Sequence, residues 1–536
     1  MKNRTYYVGI FLILLVGIFL RFQFSPDINF ETDSFSVLLS ARNILEKGQY
    51  LIPPIALTDH IHYQQYTGWG AGYPLLLSIL FFIFGYGETV ARCATILICS
   101  VTIPVVAMLG NRVGGKKVGI VSGLLVAVNP LLICINGRIL TANMGFSFFV
   151  ISITLLIMGS SRRTNDMEFL STGELLNSRR QLVLFCLSFL FFGITLSTRD
   201  DYAMFALVFL VVSWSILKKS PKEIENKNLV NYLKLGGVAA LLTIIGYLPN
   251  IYFNYKNYGR IFTSSHYEYG GRLSLEYFLR GSHGAFSLPG WAVMVITILI
   301  YAIPIVSIFL FRLKMKGSVL LFSIIIAIVL PIIFINGAYP VTSSGASPRY
   351  VIPLIPFTLI LASIVLVAKP ATLRLFRIVF MCCLAIWHVI LFYPPLFLFE
   401  TFPKIAYLTQ YSPWYNTHNY MNYPHPVLAT LEWVKSNTPP NAIILSDYDN
   451  YHYFFYTKRD VMNRDNVEEI KKYIDSRPMF FIEDHQKSIN PNSWNDWRRK
   501  LLKNSIICRE KYSMALFSPS KGEARLRIYE LFGASK

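Results

Sequence analysis

Two carboxylates, Glu31 and Asp33, open the stretch Glu-Thr-Asp-Ser-Phe-Ser-Val-Leu-Leu-Ser-Ala-Arg-Asn-Ile-Leu-Glu-Lys-Gly at 31–48, directly after the first long apolar run. A carboxylate at a membrane surface can serve as a general base, and Asp33 is the better placed of the two, with Glu31 near enough to share its pocket. Asp33 also suits the cap of an amphipathic helix whose apolar side is Phe35, Leu38, Leu39 and Leu45 and whose end is Gly48. Three arginines stand at the ends of later apolar runs: Arg138 in Asn-Gly-Arg-Ile-Leu-Thr-Ala-Asn, Arg199 in Ser-Thr-Arg-Asp-Asp-Tyr, and Arg349 before Tyr350 in Ser-Pro-Arg-Tyr-Val-Ile-Pro-Leu-Ile-Pro. Guanidinium is costly in a membrane without an anionic partner and is built to grip phosphate through a planar fork of donors. Each arginine could instead snorkel to lipid headgroups, and Arg199 could pair with Asp200 or Asp201. His60 and His62 sit in Asp-His-Ile-His-Tyr-Gln-Gln-Tyr, where a His-x-His pair suits substrate contact or, with acids nearby, a metal.

These residues need a frame, and the frame is lipid. The chain has 536 residues, 54% of them hydrophobic, and apolar runs of about 18 residues or more recur, which selects a multi-span helical membrane protein. The run from Tyr6 to Phe22 is long for a signal peptide and lacks a small-residue cleavage site, so it is expected to be a retained helix. A net charge of +20 would suggest nucleic acid in a soluble protein, but here Lys and Arg cluster between apolar runs, as the positive-inside rule requires, and no nucleic-acid partner is expected. The seven cysteines show no CxxC and no metal-ligand spacing beyond the adjacent Cys382 and Cys383, which argues against a disulfide framework.

The basic clusters set a topology. Lys2 and Arg4 place the N-terminus in the cytoplasm, and residues 24–72 outside. The apolar stretch Pro74 to Tyr86 is roughly a dozen residues, short for a crossing. If it is re-entrant or lies on the surface and the run Thr89 to Leu109 crosses, then Arg112, Lys116, Lys117, Arg162, Arg163, Arg179 and Arg180 all fall inside. Continuing over 118–134, 143–159, 182–197, 202–217, 235–252, 290–311, 318–335, 350–368 and 376–397 gives about eleven spans in residues 1–400. Arg138, Arg199 and Arg349 then share the outer face with Asp33. From 401 to 536 no spanning run remains. Strands at 442–446 and 479–483 and helices at 429–436 and 467–476 predict a small α/β domain outside the membrane. The expected fold class is thus an α-helical polytopic membrane protein of the plasma membrane with a small extracytoplasmic C-terminal α/β domain.

Four stretches carry a family resemblance: Asp33-x-Phe-x-x-x-x-x-Ala-Arg-Asn-Ile-Leu-x-x-Gly48, Gly72-Tyr-Pro-Leu-Leu, the Arg138-Ile-x-x-x-Asn143 turn after Asn129-Pro130, and Arg349-Tyr-x-x-Pro-x-x-Pro356. Over about residues 5–400 the chain resembles the GT-C superfamily of integral-membrane glycosyltransferases, in the branch of the protein O-mannosyltransferases and lipid A aminoarabinose transferases. The resemblance implies that Asp33 is the catalytic acid of the first outer loop. Ser34 stands where a second acid is common, leaving Glu31 as its substitute or no second acid. Asn143 stands where many members carry an acid in the second outer loop, which fits the metal-independent members, so no cofactor is expected. Gly72-Tyr73 replaces a basic residue that often contacts donor phosphate, leaving that task to His60, His62 or the arginines. Arg349 matches the arginine before the Pro-x-x-Pro span.

The implied activity is transfer of a hexosyl or pentosyl group, with inversion, from a polyprenyl (undecaprenyl or dolichyl) phosphate to a hydroxyl of a protein, lipid or glycan. Asp33 would act as base, Arg349, Arg138 and Arg199 would hold the donor phosphate, and His60, His62, Tyr350 and Asp200 would contact substrate. A transporter or flippase for a lipid-linked sugar would use the same arginines, although such proteins often show internal repeats and midplane charges, and neither stands out here. A non-catalytic membrane scaffold displaying the C-terminal domain is the second alternative, kept open by Ser34 and Asn143.

Overall fold

The structure is a computed structural model that describes residues 3–25, 32–50, 70–162, 168–170, 172–217, 226–259, 323–326, 352–367, 426–446, 456–463, 467–484, 491–518 and 522–533, with a few single positions between them. The chain forms two compact units. The first comprises Met1–Asp27, Thr67–Leu398 and Lys404–Asn416; the second comprises Ile28–Tyr66, Phe399–Pro403 and Thr417–Lys536. The segment that opens with Glu31 and Asp33 therefore groups with the C-terminal unit, whereas the sequence reading had placed it with residues 1–400.

The first unit is helical. Its elements are α1 (Asn3–Gln23), α3 (Gly72–Phe84), α4 (Glu88–Ser100), α5 (Thr102–Gly114), α6 (Lys116–Ala127), α7 (Pro130–Asn136), α8 (Thr141–Ser160), the two-residue strands β1 (Ser161–Arg162) and β2 (Glu168–Phe169), α9 (Thr172–Asn177), α10 (Arg179–Thr198), a 3-10 turn at Asp200–Phe205, α11 (Ala206–Leu217), α12 (Asn226–Tyr258) and α13 (Ile355–Val367); α2 (Thr32–Lys47) belongs to the second unit. Five described helices are long and apolar enough to cross a membrane: Arg4–Gln23, Glu88–Gly114, Thr141–Ser160, Arg179–Thr198 and Leu233–Asn257. Gly72–Phe84 and Ile352–Val367 are apolar but shorter. The expected spans 290–311, 318–335 and 376–397 lie almost wholly outside the described residues.

Burial follows the rule for a lipid solvent. On α1, Tyr7, Phe11, Leu12, Leu15, Phe19 and Phe22 are exposed at helical spacing, and α12 shows Leu241, Ile244, Leu248, Tyr252 and Tyr255 outward. Such apolar stripes are tolerable only against hydrocarbon. Inside, helices meet through small residues and hydroxyls. The Ser152 hydroxyl of α8 donates to Ser188 O of α10 (2.7 Å), and Tyr6 of α1 donates to Ala107 O of α5 (3.0 Å). An aromatic core joins α8 to the segment after α10, with Phe149 against Phe205 at 5.3 Å between ring centres and Phe192 against Phe209 at 4.2 Å.

The unit has a basic end and an opposite end. Arg112, in the last turn of α5, donates through Nε to Ser161 Oγ (3.0 Å) and through Nη2 to Ser161 O, and Gln181 of α10 reaches the same carbonyl. The clusters at 112–117 and 162–180 therefore share one end, where Tyr6 also brings the start of α1. The other end holds the start of α3: a Cβ on Gly70 or Gly72 would run into the Ser197 main chain of α10. Tyr73 shares a hydrogen bond with Thr95 of α4 (2.5 Å), and Arg112 stands at the basic end. The helix α3 is about 20 Å long, short of the ~30 Å hydrocarbon core.

The second unit carries α14 (Pro426–Asn437), β3 (Ile443–Ser446), β4 (Asp460–Asn463), α15 (Val467–Ile474), β5 (Met479–Asp484), α16 (Pro491–Lys503), β6 (Ile506–Ser518) and β7 (Gly522–Gly533). The sheet runs β4-β3-β5-β7-β6, with β4, β3 and β5 parallel and β7 and β6 antiparallel. Ile443, Leu445, Met462, Ile470, Met479, Phe481, Trp497, Leu501 and Leu531 form its core. The α/β domain expected after residue 401 is present, and the fold class is that of a polytopic helical membrane protein.

Candidate functional site

The turn that carries Arg138 is built by asparagines. Asn129 caps α7: its side-chain oxygen accepts from Leu132 N (3.0 Å), and Pro130 fills the first helical position, where no amide hydrogen is needed. The helix stops after seven residues at Asn136-Gly137. Arg138 N donates to Ile135 O (2.9 Å) and Leu140 N to Arg138 O (3.0 Å). Asn143, fully buried in the first turn of α8, donates from Nδ2 to both Ile135 O and Arg138 O at 2.7 Å each. Its Oδ1 has no hydrogen-bond partner among the described residues. The spacing Arg138-Ile-x-x-x-Asn143 is thus a clamp, in which the amide five residues on holds the arginine's main chain. The side chain of Arg138 is partly buried at the entrance to α8.

Arg199 comes to the same end of α8 from the other side. It closes α10 in an extended conformation (φ −150°, ψ 110°), with its N–H on Thr195 O (2.9 Å), and is 97% buried, its relative exposure being 3%. A Cβ on Gly145 of α8 would touch Arg199 Cβ, Thr198 Oγ1 and the Tyr202 ring at 3.3–3.4 Å, so the arginine's stem packs one half-turn from Asn143. Asp200 begins the 3-10 turn directly after Arg199, and the side chain of Asp201, the other partner the sequence offered, lies outside the described residues. The Arg138 main chain and the Arg199 stem therefore both meet the first turns of an apolar 20-residue helix, the positive end of its dipole. A helix N-terminus with arginines beside it is a setting of the kind that suits an anion.

The Gly72-Tyr-Pro-Leu-Leu motif supports this end of the unit. Gly70 and Gly72 let the start of α3 press on Ser197, Ala71 N donates to Asn250 Oδ1 of α12 (2.6 Å), and Asn250 Nδ2 reaches Leu196 O (3.4 Å). The segment before Arg199 is thus held by α3 and α12 together.

In the second unit, Asp33 stands in the first turn of α2, with its side chain outside the described residues. The motif from Asp33 to Gly48 becomes intelligible from the backbone and the buried set. Phe35, Leu38, Leu39 and Ala41 are buried, and Phe35 packs edge to face on Tyr456 (5.7 Å). Asn43 Nδ2 donates to Gln49 O (3.0 Å), and Gly48 ends the helix at φ 62°, a left-handed value that favours glycine. The exposed Arg42 pairs with Glu46 at 2.6 Å, so this arginine is spent on the helix surface. Leu45, expected on the apolar face, is exposed.

Of the residues nominated from the sequence, Arg138 and Arg199 come together and Asp200 lies beside Arg199. Glu31, His60, His62, Arg349 and Tyr350 lie outside the described residues. One charged residue was missed. Arg21, in the last turn of α1, is fully buried near Cys99 and the start of α8. Its signal was available as an arginine at the outer end of the first span.

No family model matches the sequence, and no curated protein matches it. Solved structures do. ArnT from Cupriavidus metallidurans bound to undecaprenyl phosphate is 14% identical, with 99% of this chain and 98% of that one covered and a TM-score of 0.63. The same protein in its apo state gives 0.58. The archaeal oligosaccharyltransferase AglB from Archaeoglobus fulgidus, in complex with an inhibitory peptide and a dolichol-phosphate, is 11% identical over 98% of this chain and 74% of its own, at a TM-score of 0.52. Over nearly its whole length the chain shares the fold of ArnT and AglB.

Proposed function

We propose that the chain is a glycosyltransferase that moves a sugar from a polyprenyl-phosphate carrier to an acceptor hydroxyl on the extracytoplasmic face of the membrane. The observation that carries this reading is the convergence of Arg138 and Arg199 on the N-terminus of α8, in a fold shared with a structure that holds undecaprenyl phosphate. In the proposed reaction Asp33, with Glu31 as its neighbour, takes the proton from the acceptor hydroxyl as that oxygen attacks the anomeric carbon. The bond between that carbon and the phosphate oxygen breaks, the sugar is inverted, and the electron pair leaves on the lipid phosphate. Arg349, Arg138 and Arg199 stabilise the charge that grows there. His60, His62, Tyr350 and Asp200 contact the hexosyl or pentosyl group or its acceptor, which is a protein, lipid or glycan. No step is routed through a metal: at position 143 a neutral amide stands, with its donors already on two carbonyls.

The test uses purified protein in detergent with a panel of polyprenyl-phosphate sugars. Free polyprenyl phosphate should be released, and Asp33→Asn should slow this by roughly 10²–10⁴-fold, the usual worth of a general base. Full activity in Asp33→Asn would remove Asp33 from the mechanism. A flippase would carry the donor across a vesicle bilayer with no release of free lipid phosphate. Arg349→Ala should shrink the thermal shift that undecaprenyl phosphate induces, and an unchanged shift would remove Arg349 from the phosphate set.

A further inference from the structure

Arg21 is a fully buried charged side chain that the proposed reaction does not use. It has no measurable exposure, and its ion-pair set among the described residues holds no carboxylate. A snorkelling arginine would send its fork outward. This one sends it inward. Nη1 donates to Gly17 O (2.9 Å) and Ala127 O (3.3 Å), and Nη2 donates to Val126 O (3.4 Å). Val126 and Ala127 are the last residues of α6, whose final carbonyls lack helical donors and form the negative end of its dipole. A planar fork can span two successive carbonyls, and an ammonium cannot. Four residues along, Ser25 Oγ donates to Gly137 O (2.9 Å), next to Arg138.

The end of α1 thus grips the segment 126–137 at both of its ends, and that segment delivers Arg138 to the start of α8. We infer that Arg21 is a positioning residue for Arg138: it fixes the α6–α7 frame so that the Arg138 guanidinium meets an anionic phosphate ester at a set depth and angle. Burying a guanidinium within an apolar unit is costly, and the three carbonyls alone repay it only in part. A sequence under pressure for stability alone would place an apolar residue at 21. The inference rests on the proposed phosphate role of Arg138.

The test uses the full-length protein in nanodiscs with undecaprenyl phosphate as the probe, read by tryptophan fluorescence, together with hydrogen exchange over 136–140. Arg21→Lys and Arg21→Gln should each weaken binding roughly tenfold, about one charge-assisted hydrogen bond, and speed exchange in the Arg138 turn. Ser25→Ala, which carries no change of charge, should do the same to a smaller degree. In an Arg138→Ala background, Arg21→Lys should add nothing. If Arg138→Ala leaves binding unchanged, the phosphate role of Arg138 falls and the inference falls with it. If Arg138→Ala weakens binding and the Arg21 variants do not, or if they still weaken it in the Arg138→Ala background, the positioning role alone falls.

Discussion

The Asn143 amide spends both of its hydrogens on main-chain carbonyls, one from the end of α7 and one from Arg138 itself. Replacing it by alanine strands both carbonyls in an apolar surround. At ~1–2 kcal/mol for an interhelical hydrogen bond in a membrane, Asn143→Ala should lower stability by about 2 kcal/mol, read as a fall in thermal midpoint, and should weaken undecaprenyl phosphate binding. Asn143→Asp should be worse, because a carboxylate accepts and cannot donate, and it would face two carbonyl oxygens. Adding Mg²⁺ or Mn²⁺ should not rescue it; rescue would mean that the position is a latent metal ligand and not a clamp. From sequence, Asn143 registered only as a missing acid. What it does instead depends on Ile135 and Arg138 folding back toward it, which spacing alone does not reveal. Arg21 was missed for a related reason: two of its three acceptors lie more than a hundred residues away, and an arginine at a span end reads as headgroup contact.

At the level of elements, α10 and α12 meet through glycines. A Cβ on Gly193 would strike Thr243 O and Gly246 Cα, and one on Gly246 would strike Leu190 O and Ile194 N. Gly236 and Gly237 on the same α12 have nothing within 4 Å of such a Cβ. Gly193→Val should therefore pry the helices apart and lower the thermal midpoint, whereas Gly236→Ala should leave it unchanged or raise it, since alanine is the better helix former. Equal effects at the two sites would show that the close approach contributes nothing. Helix existence was legible because lipid sets a length scale: the expected 143–159 and 182–197 are α8 and α10 within a few residues. The expected 118–134 is broken by Val128 and Asn129 into α6 and α7, a break that Asn129-Pro130 announces. In the C-terminal unit β3 and β5 were visible as short buried runs. The long strands β6 and β7 were not, because Arg509, Glu510, Lys511, Arg525, Arg527 and Glu530 interrupt any apolar pattern. Some of those charges pair across the ladder, as Lys511 does with Glu530 at 2.7 Å.

For the molecule as a whole, the sorting of charge between the two ends of the helical unit predicts its orientation. The start of α1, Arg112 to Lys117 and the 162–180 connection share one end through Tyr6, Arg112 and Gln181, while Arg21, Arg138 and Arg199 belong to the other. Clusters of lysine and arginine in short connections are retained in the cytoplasm. Buried arginines that are engaged with carbonyls or packed against helices are not free to obey that rule, so Arg21, Arg138 and Arg199 do not count against it. The basic end should therefore be cytoplasmic and the end with Arg138 and Arg199 extracytoplasmic; the sequence topology separately expects the C-terminal domain outside the membrane. Single cysteines at the exposed Lys117 and Lys471 report this, in a background with the exposed Cys382 changed to serine. Native Cys508 is a weak competitor, since burial pushes its thiol up to about 11 and leaves little thiolate at neutral pH. A membrane-impermeant maleimide applied to intact cells should label Lys471→Cys and spare Lys117→Cys until the membrane is opened. The reverse pattern would put Arg138 and Arg199 at the cytoplasmic end, and the proposed donor would then have to be presented from the inner leaflet.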